Sequence, residues 1–287
     1  MHKSTLTDLT TIRKRARRFH VRPNKEHSQN FLLNQDVVRT MASEAGIGKR
    51  DWVLEVGAGF GALTEELLAT GAEVLAFEID EHLAAALVDR FRSETQFQLI
   101  VGDFFRWYRE HTQELMHKSF SIVANLPYHV SSFFFETVLS DSISPKQIIV
   151  LLQKEVAERI AAKPGAMSLL SLSVQMFGTP SVLLYVPKRD FWPQPDVDSA
   201  VLAVKNIHGG PDNTKQLFQL ARMAFAGKRK QLHNTLAAGL HRSGAEIVPL
   251  LRKANIAETA RPQELTVADW KRLAEAFQAL LETRTSP

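Results

Sequence analysis

The sequence predicts an α/β protein: a mostly parallel sheet of seven strands with helices on both faces, followed by a smaller all-helical domain. Three observations predict it. From residue 51 onward, short apolar runs alternate with segments of helical period. Two later apolar runs flank a proline-rich connection in which no helix can form. Beyond Gly209-Gly210-Pro211, a linker signal, only helical periodicity remains.

Trp52 to Val56 reads as the first strand, followed by a glycine loop and a helix with Leu63, Leu67 and Leu68 on one face. Val74 to Phe77 is the second strand, and Leu83, Leu87, Val88 and Phe91 mark the next helix. Phe97 to Val101, Ser121 to Ala124 and Gln147 to Leu152 complete the βαβα alternation of a parallel sheet. Val182 to Val186 and Ala200 to Val204 then suggest a closing antiparallel pair, with Phe191-Trp192-Pro193-Gln194-Pro195 as a loop across the sheet edge. In the last part Leu217, Leu220, Ala221, Ala224 and Phe225 share a helix face. Thr266 to Asp269 resembles a capping box ahead of Trp270, Leu273, Phe277 and Leu280. The expected division is a flexible basic arm at 1–23, a ligand-binding domain at 24–208 and a helical domain at 209–287.

A chain of 287 residues with 45% hydrophobic content can bury a substantial core, and no apolar run approaches the length of a membrane span. Cysteine is absent, which excludes disulfides and thiolate metal sites, and the ten histidines show no metal-ligand spacing. No metal is expected. The net charge is +4 and the pI about 9.3, with the cations unevenly spread. Arg13, Lys14, Arg15, Arg17, Arg18, Arg22 and Lys25 occur with no acid among them, a pattern read either as a phosphate-attracting block or as a solvated arm. The first 22 residues lack the apolar core of a secretory signal; their richness in Thr and Arg keeps a mitochondrial presequence as an alternative, against which Asp8 and the missing amphipathic apolar stripe argue.

The residues that could carry chemistry stand at strand ends. Glu55-Val56-Gly57-Ala58-Gly59-Phe60-Gly61 places glycines between a strand and a helix, where backbone can approach a ligand; a tight packing turn is the alternative. Glu78 ends the second strand, where an acid can bind ribose hydroxyls or simply be solvated. Asp103 follows the third strand and could accept from an adenine amine or serve as an ordinary turn residue. After the fourth strand comes Asn125-Leu126-Pro127-Tyr128, which is either a turn or a device for a flat, amino-bearing base. In the second reading Asn125 and a backbone carbonyl accept the amine hydrogens while Tyr128 stacks on the base.

Taken in order, these motifs resemble the KsgA type of ribosomal RNA adenine dimethyltransferase over residues 24 to 281. The resemblance rests on Ser28-Gln29-Asn30-Phe31-Leu32, the glycine loop, the strand-end acids, Asn-Leu-Pro-Tyr, the segment Phe191 to Ser199, and Phe225 to Asn234. Ser28 stands where that family commonly has glycine, and Gly227-Lys228-Arg229-Lys230-Gln231 departs from its usual Arg-Arg-Lys-Thr pattern while keeping the charge.

The resemblance implies a Rossmann-like methyltransferase fold, S-adenosylmethionine as methyl donor, and two adjacent adenosines near the 3′ end of small-subunit rRNA as acceptors. Cofactor binding would fall to Asn30, Leu32, Gly57, Glu78, Asp103 and Asn125. Base handling would fall to Asn125, the Leu126 carbonyl and Tyr128, with Phe191 as either a second base-facing aromatic or a core anchor. Lys228, Arg229 and Lys230 would contact rRNA in the helical domain. The implied protein is a cytoplasmic monomer that acts on the immature small subunit and has no membrane partner. Three other readings stand beside it: a large-subunit antibiotic-resistance methyltransferase or related mitochondrial transcription factor, a ribosome-assembly factor whose methylation is secondary, and an NAD-dependent dehydrogenase. The last leaves Asn-Leu-Pro-Tyr unexplained.

Overall fold

A computed structural model describes residues 5–23, 29–116, 118–140, 143–227 and 230–282. Its strands are β1 (Phe31–Leu32), β2 (Trp52–Val56), β3 (Glu73–Glu78), β4 (Phe97–Val101), β5 (Phe120–Asn125), β6 (Ile148–Gln153), β7 (Thr179–Val186), β8 (Phe191–Trp192) and β9 (Ser199–Lys205). Seven form one sheet in the order β4-β3-β2-β5-β6-β9-β7. β4 through β6 of that order run parallel, and β9 is antiparallel to both β6 and β7. The expected seven-stranded, mostly parallel sheet is borne out. Burial distinguishes the central strand from the edge strand. Residues 148–152 are buried on both faces, as a central parallel strand must be, whereas edge strand β4 leaves Val101 exposed.

The chain passes from β3 to β4 on one side of β2 and then returns to place β5 on the other. The order of connection reverses there, and open α/β sheets bind ligands at the carboxyl ends of the strands beside such a reversal. The helices around it are capped by the side chains that precede them. Asn34 caps Gln35–Glu44, Asp80 caps Glu81–Phe91, and Asp103 caps Phe104–Glu110. In helix Glu81–Phe91 the buried stripe is Leu83, Leu87 and Phe91, but Val88 is exposed. One residue past Leu87 is a turn of about 100°, which carries Val88 off the stripe.

The chain divides into two compact units, 1–157 with 179–207, and 158–178 with 208–287. One boundary falls near 208, and residues 158–178 group with the helical unit, whereas the sequence pattern leaves them in the sheet domain. Their attachments are remote in sequence. Gly165 N donates to Gln263 O at 2.7 Å, His208 N to Phe177 O at 2.9 Å, and the Phe177 and Phe218 rings stack 6.3 Å apart. Within this unit Leu217, Leu220, Leu236, Leu251, Trp270, Leu273 and Phe277 are buried. Thr266 and Asp269 exchange the hydrogen bonds of a reciprocal cap.

The N-terminal segment differs from the expected flexible arm. Leu9–Arg18 is a helix capped by Asp8, and Ile12, Ala16 and Val21 are buried in a cluster with Phe31, Phe60, Leu83 and Ala86. Its apolar stripe consists of only two residues, spaced i and i+4 in a strongly cationic segment. The side chains that bury it come from elements remote in sequence, so composition points the wrong way.

Candidate active site

Four adjacent strands, β4, β3, β2 and β5, bring Asp103, Glu78, Gly57 and Asn125 to one sheet edge. All four line a single cavity of about 350 Å³, together with Asn30, Leu32, Leu126 and Tyr128. That volume lies in the range of small-ligand sites.

The glycine loop shapes its floor. Gly57 has φ +75°, and a Cβ there would sit 3.6 Å from the Asn125 carbonyl, filling space between the ends of β2 and β5. Gly61 has φ +87°, and a Cβ there would collide with the Phe91 ring. The positive φ values at both positions favour glycine, and at 61 the Phe91 ring adds a packing demand, so part of this loop is a tight packing turn and part lines the cavity.

Glu78 is not a solvated acid, because it is 6% exposed. Its Oε2 accepts from Gly59 N at 2.8 Å and its Oε1 from Asp80 N at 3.0 Å, so the glycine loop and the carboxylate hold each other in place. Burial raises its pKa, and the two backbone donors oppose that shift. Glu55, also on the cavity wall, is buried and raised to about 8, chiefly by desolvation. Thr64 Oγ1 donates to it at 2.6 Å. Asp103 Oδ1 accepts from Arg106 N at 2.7 Å, so this residue is a helix cap as well as a cavity residue.

Asn125 Nδ2 donates to the Asn30 carbonyl at 3.2 Å. Because a carbonyl can only accept, this bond turns the amide so that Oδ1 is its acceptor end. Leu126 N is committed to Leu151 O at 3.0 Å. Tyr128 Oη and Ser199 Oγ lie 2.7 Å apart, and this tether holds the ring on the cavity wall. Burial raises the Tyr128 phenol above its ordinary value.

Phe191 is the candidate that the structure does not bring to the cavity. It is 4% exposed, pairs with Leu32 in the short β1–β8 ladder, and sits in the sheet core. The core-anchor reading therefore describes it. Lys230 is exposed, while Lys228, Arg229 and Ser28 lie outside the described residues. Three contributors escape sequence reasoning. Leu6 and Ile12 add apolar wall from the N-terminal segment, and Ser199 holds Tyr128. Ser199 lies in a recognised motif, but its partner is set only by tertiary pairing. No cluster of three or more metal-ligating side chains occurs among the described residues, and no helix among them is long and apolar enough to cross a membrane.

The strand order and strand-end cavity define a Rossmann-like methyltransferase fold. Two solved structures share it: a dimethyladenosine transferase from Plasmodium falciparum (TM-score 0.72, 24% identity, 87% of this chain and 98% of that one) and the 23S rRNA methyltransferase ErmE (TM-score 0.69, 22% identity, 86% and 99%). At such identities they speak for the fold alone. The sequence profile described as Ribosomal RNA adenine dimethylase matches residues 21–279. The Ribosomal RNA small subunit methyltransferase A of Dehalococcoides mccartyi (strain CBDB1) is 38% identical over 261 residues, 89% of this chain and 88% of that protein. The chain belongs to the ribosomal RNA adenine dimethylase family. The motif-based recognition and the adenine dimethyltransferase class are borne out.

Proposed function

We propose that this chain transfers methyl groups from S-adenosylmethionine to the N6 amines of two adjacent adenosines in the 3′-terminal hairpin loop of small-subunit (16S) rRNA. It places two methyls on each, late in subunit assembly, as a cytoplasmic monomer. The observation that carries this reading is the single cavity that collects Gly57, Glu78, Asp103 and Asn125 beside Leu126 and Tyr128. The small-subunit assignment draws on relatives such as that of Dehalococcoides mccartyi.

The residues present fit the donor. Gly57 leaves open the space a Cβ would fill, and each Glu78 oxygen, though bonded to a backbone N–H, keeps a second lone pair for a ribose hydroxyl. Asp103 would accept from the adenine amine, while Asn30, Leu32 and Asn125 complete the enclosure. Bound there, S-adenosylmethionine supplies an electrophilic methyl group.

The protein's own task is to make the target amine a nucleophile. Its lone pair is delocalised into the ring. Acceptance of its two hydrogens by Asn125 Oδ1 and the Leu126 carbonyl favours tetrahedral nitrogen and localises that pair. Tyr128 offers its ring to the base face, oriented by Ser199. The raised phenol stays protonated at neutral pH, so Tyr128 is no general base, and alignment supplies most of the catalysis. In the helical unit Lys230, with Lys228 and Arg229, would neutralise rRNA phosphates.

The test is incubation with labelled S-adenosylmethionine and undermethylated small subunits, followed by mapping of modified nucleotides. Label is expected on two adjacent adenosines near the 3′ end. Label confined to large-subunit RNA overturns the assignment.

A further inference from the structure

The N-terminal helix has two faces with different employment. Ile12 lines the cavity, and Ala16 is buried beside it in the cluster with Phe31, Phe60, Leu83 and Ala86. Arg15 turns inward, its Nη2 donating to Ala86 O at 2.7 Å. The outer face carries Arg13, Lys14, Arg17 and Arg18, all exposed, and Arg22 is exposed just beyond the helix end. Residues 13 and 17, and 14 and 18, are i and i+4 pairs, so four like charges crowd one face and repel one another. Arg18 is paired with Asp89 at 2.9 Å. Among the described residues no ion pair holds Arg13, Lys14 or Arg17. The Arg13 guanidinium lies over the Trp192 ring, 5.9 Å from its centroid, which positions it without neutralising it. The nearby acid Asp8 is committed to the helix N-cap.

We propose that this outer face is a phosphate-binding surface for the substrate RNA, built on the back of a helix that walls the methyl-transfer cavity. The inference rests on the function proposed above and adds to it a binding surface within the same compact unit as the cavity. Self-repelling cations on a rigid helix gain most from a polyanion, since each phosphate engaged releases condensed counterions and relieves the repulsion. Guanidinium groups at 13 and 17 match phosphate oxygens in bidentate geometry. A membrane is a poor fit despite the amphipathic pattern, because Ile12 and Ala16 are consumed by the protein's own core and cannot enter a bilayer. The exposed face also carries no large apolar side chain of the kind that anchors a protein partner.

The test compares the full-length wild type with the triple variant R13Q/K14Q/R17Q. Binding of a small-subunit rRNA fragment spanning the 3′-terminal hairpin is measured across a salt series. The slope of log affinity against log salt concentration is expected to become shallower by about 2, at roughly 0.7 to 0.9 for each phosphate no longer neutralised. Affinity for S-adenosylmethionine alone should stay unchanged and the thermal melt should remain cooperative, and R13K/R17K should retain the wild-type slope. An unchanged slope in the triple variant, with a wild type that binds and methylates the RNA, overturns this inference and leaves the proposed function standing. Equal binding of the wild type to phosphatidylserine vesicles or to an acidic protein, abolished in the same variant, also overturns it. A wild type that neither binds nor methylates small-subunit RNA sinks both readings.

Discussion

Asn125 illustrates how much chemistry one side chain can owe to a neighbour. Its amide is oriented by the Asn30 carbonyl, a residue 95 positions away, and that bond leaves Oδ1 as the acceptor. Asn125→Ala should therefore slow single-turnover methylation by about 100- to 1,000-fold, the usual loss for a donor or acceptor that acts on the transition state. Donor affinity should change far less. Single-turnover rates at saturating S-adenosylmethionine check this, and an unchanged rate would remove Asn125 from the mechanism. Tyr128→Phe loses only the tether to Ser199. It should weaken RNA-dependent turnover modestly and leave the pH–rate profile unmoved, because the phenol carries no proton in the reaction; a shifted profile would make it the base. Glu55 gives a stability prediction with a definite sign. Its ordinary value of 4.5 is raised to about 8 in the fold. Its contribution is thus fully present below pH 4.5, declines as pH rises toward about 8, and is constant above that. Glu55→Gln keeps an acceptor for Thr64 and should match the wild type near pH 4.5. By pH 9 it should be the more stable by about 3 to 5 kcal/mol, read from denaturant melts at both pH values. The strand-end positions of Glu78, Asp103 and Asn125 are legible in the sequence, since an acid or amide closing an apolar run can be counted off. Burial of Glu55 is not legible, because nothing local says that Thr64 will be its polar partner.

Elements carry the geometry that those residues need. The glycine loop closes against helix Glu81–Phe91, whose Phe91 ring occupies the volume a side chain at 61 would need. Gly61→Ala combines that collision with a positive φ and should cost roughly 2 kcal/mol or more. A melting temperature several degrees lower would show it, while an unchanged melt would mean that Phe91 moves aside freely. Helix Leu9–Arg18 marks where periodicity fails as a guide. Its two buried residues are too few to announce a stripe, and their partners Phe60 and Leu83 lie far along the chain. Val88 fails in the opposite direction, as an apolar residue beside a true stripe that nonetheless faces water. Both cases have the same cause. A residue's own chemistry sets what it tolerates, and the surface that reaches it decides whether it is buried.

At the scale of the whole molecule, the chain leaves the sheet unit after β6, contributes residues 158–178 to the helical unit, and returns for β7. A fragment ending at residue 207 would therefore strand Leu172, Val174 and Phe177, which are buried in the full chain. It should aggregate or melt with poor cooperativity, and size-exclusion chromatography with a thermal scan would show this; a monomeric, cooperative fragment would refute the division. The sequence by itself determined the succession of the seven main-sheet strands, the antiparallel close of that sheet, the glycine loop, the strand-end polar residues and the family. All of these follow from local period, turn chemistry and motif order. It did not determine the N-terminal helix or the short β1–β8 ladder, which stands where a loop is expected. Only the tertiary structure decided that Phe191 is core, that Ser199 holds Tyr128, that residues 158–178 belong with the helices, and that a basic arm is a cavity wall. Those outcomes depend on contacts between residues distant in the chain, and pairing at a distance leaves no local trace in composition or period.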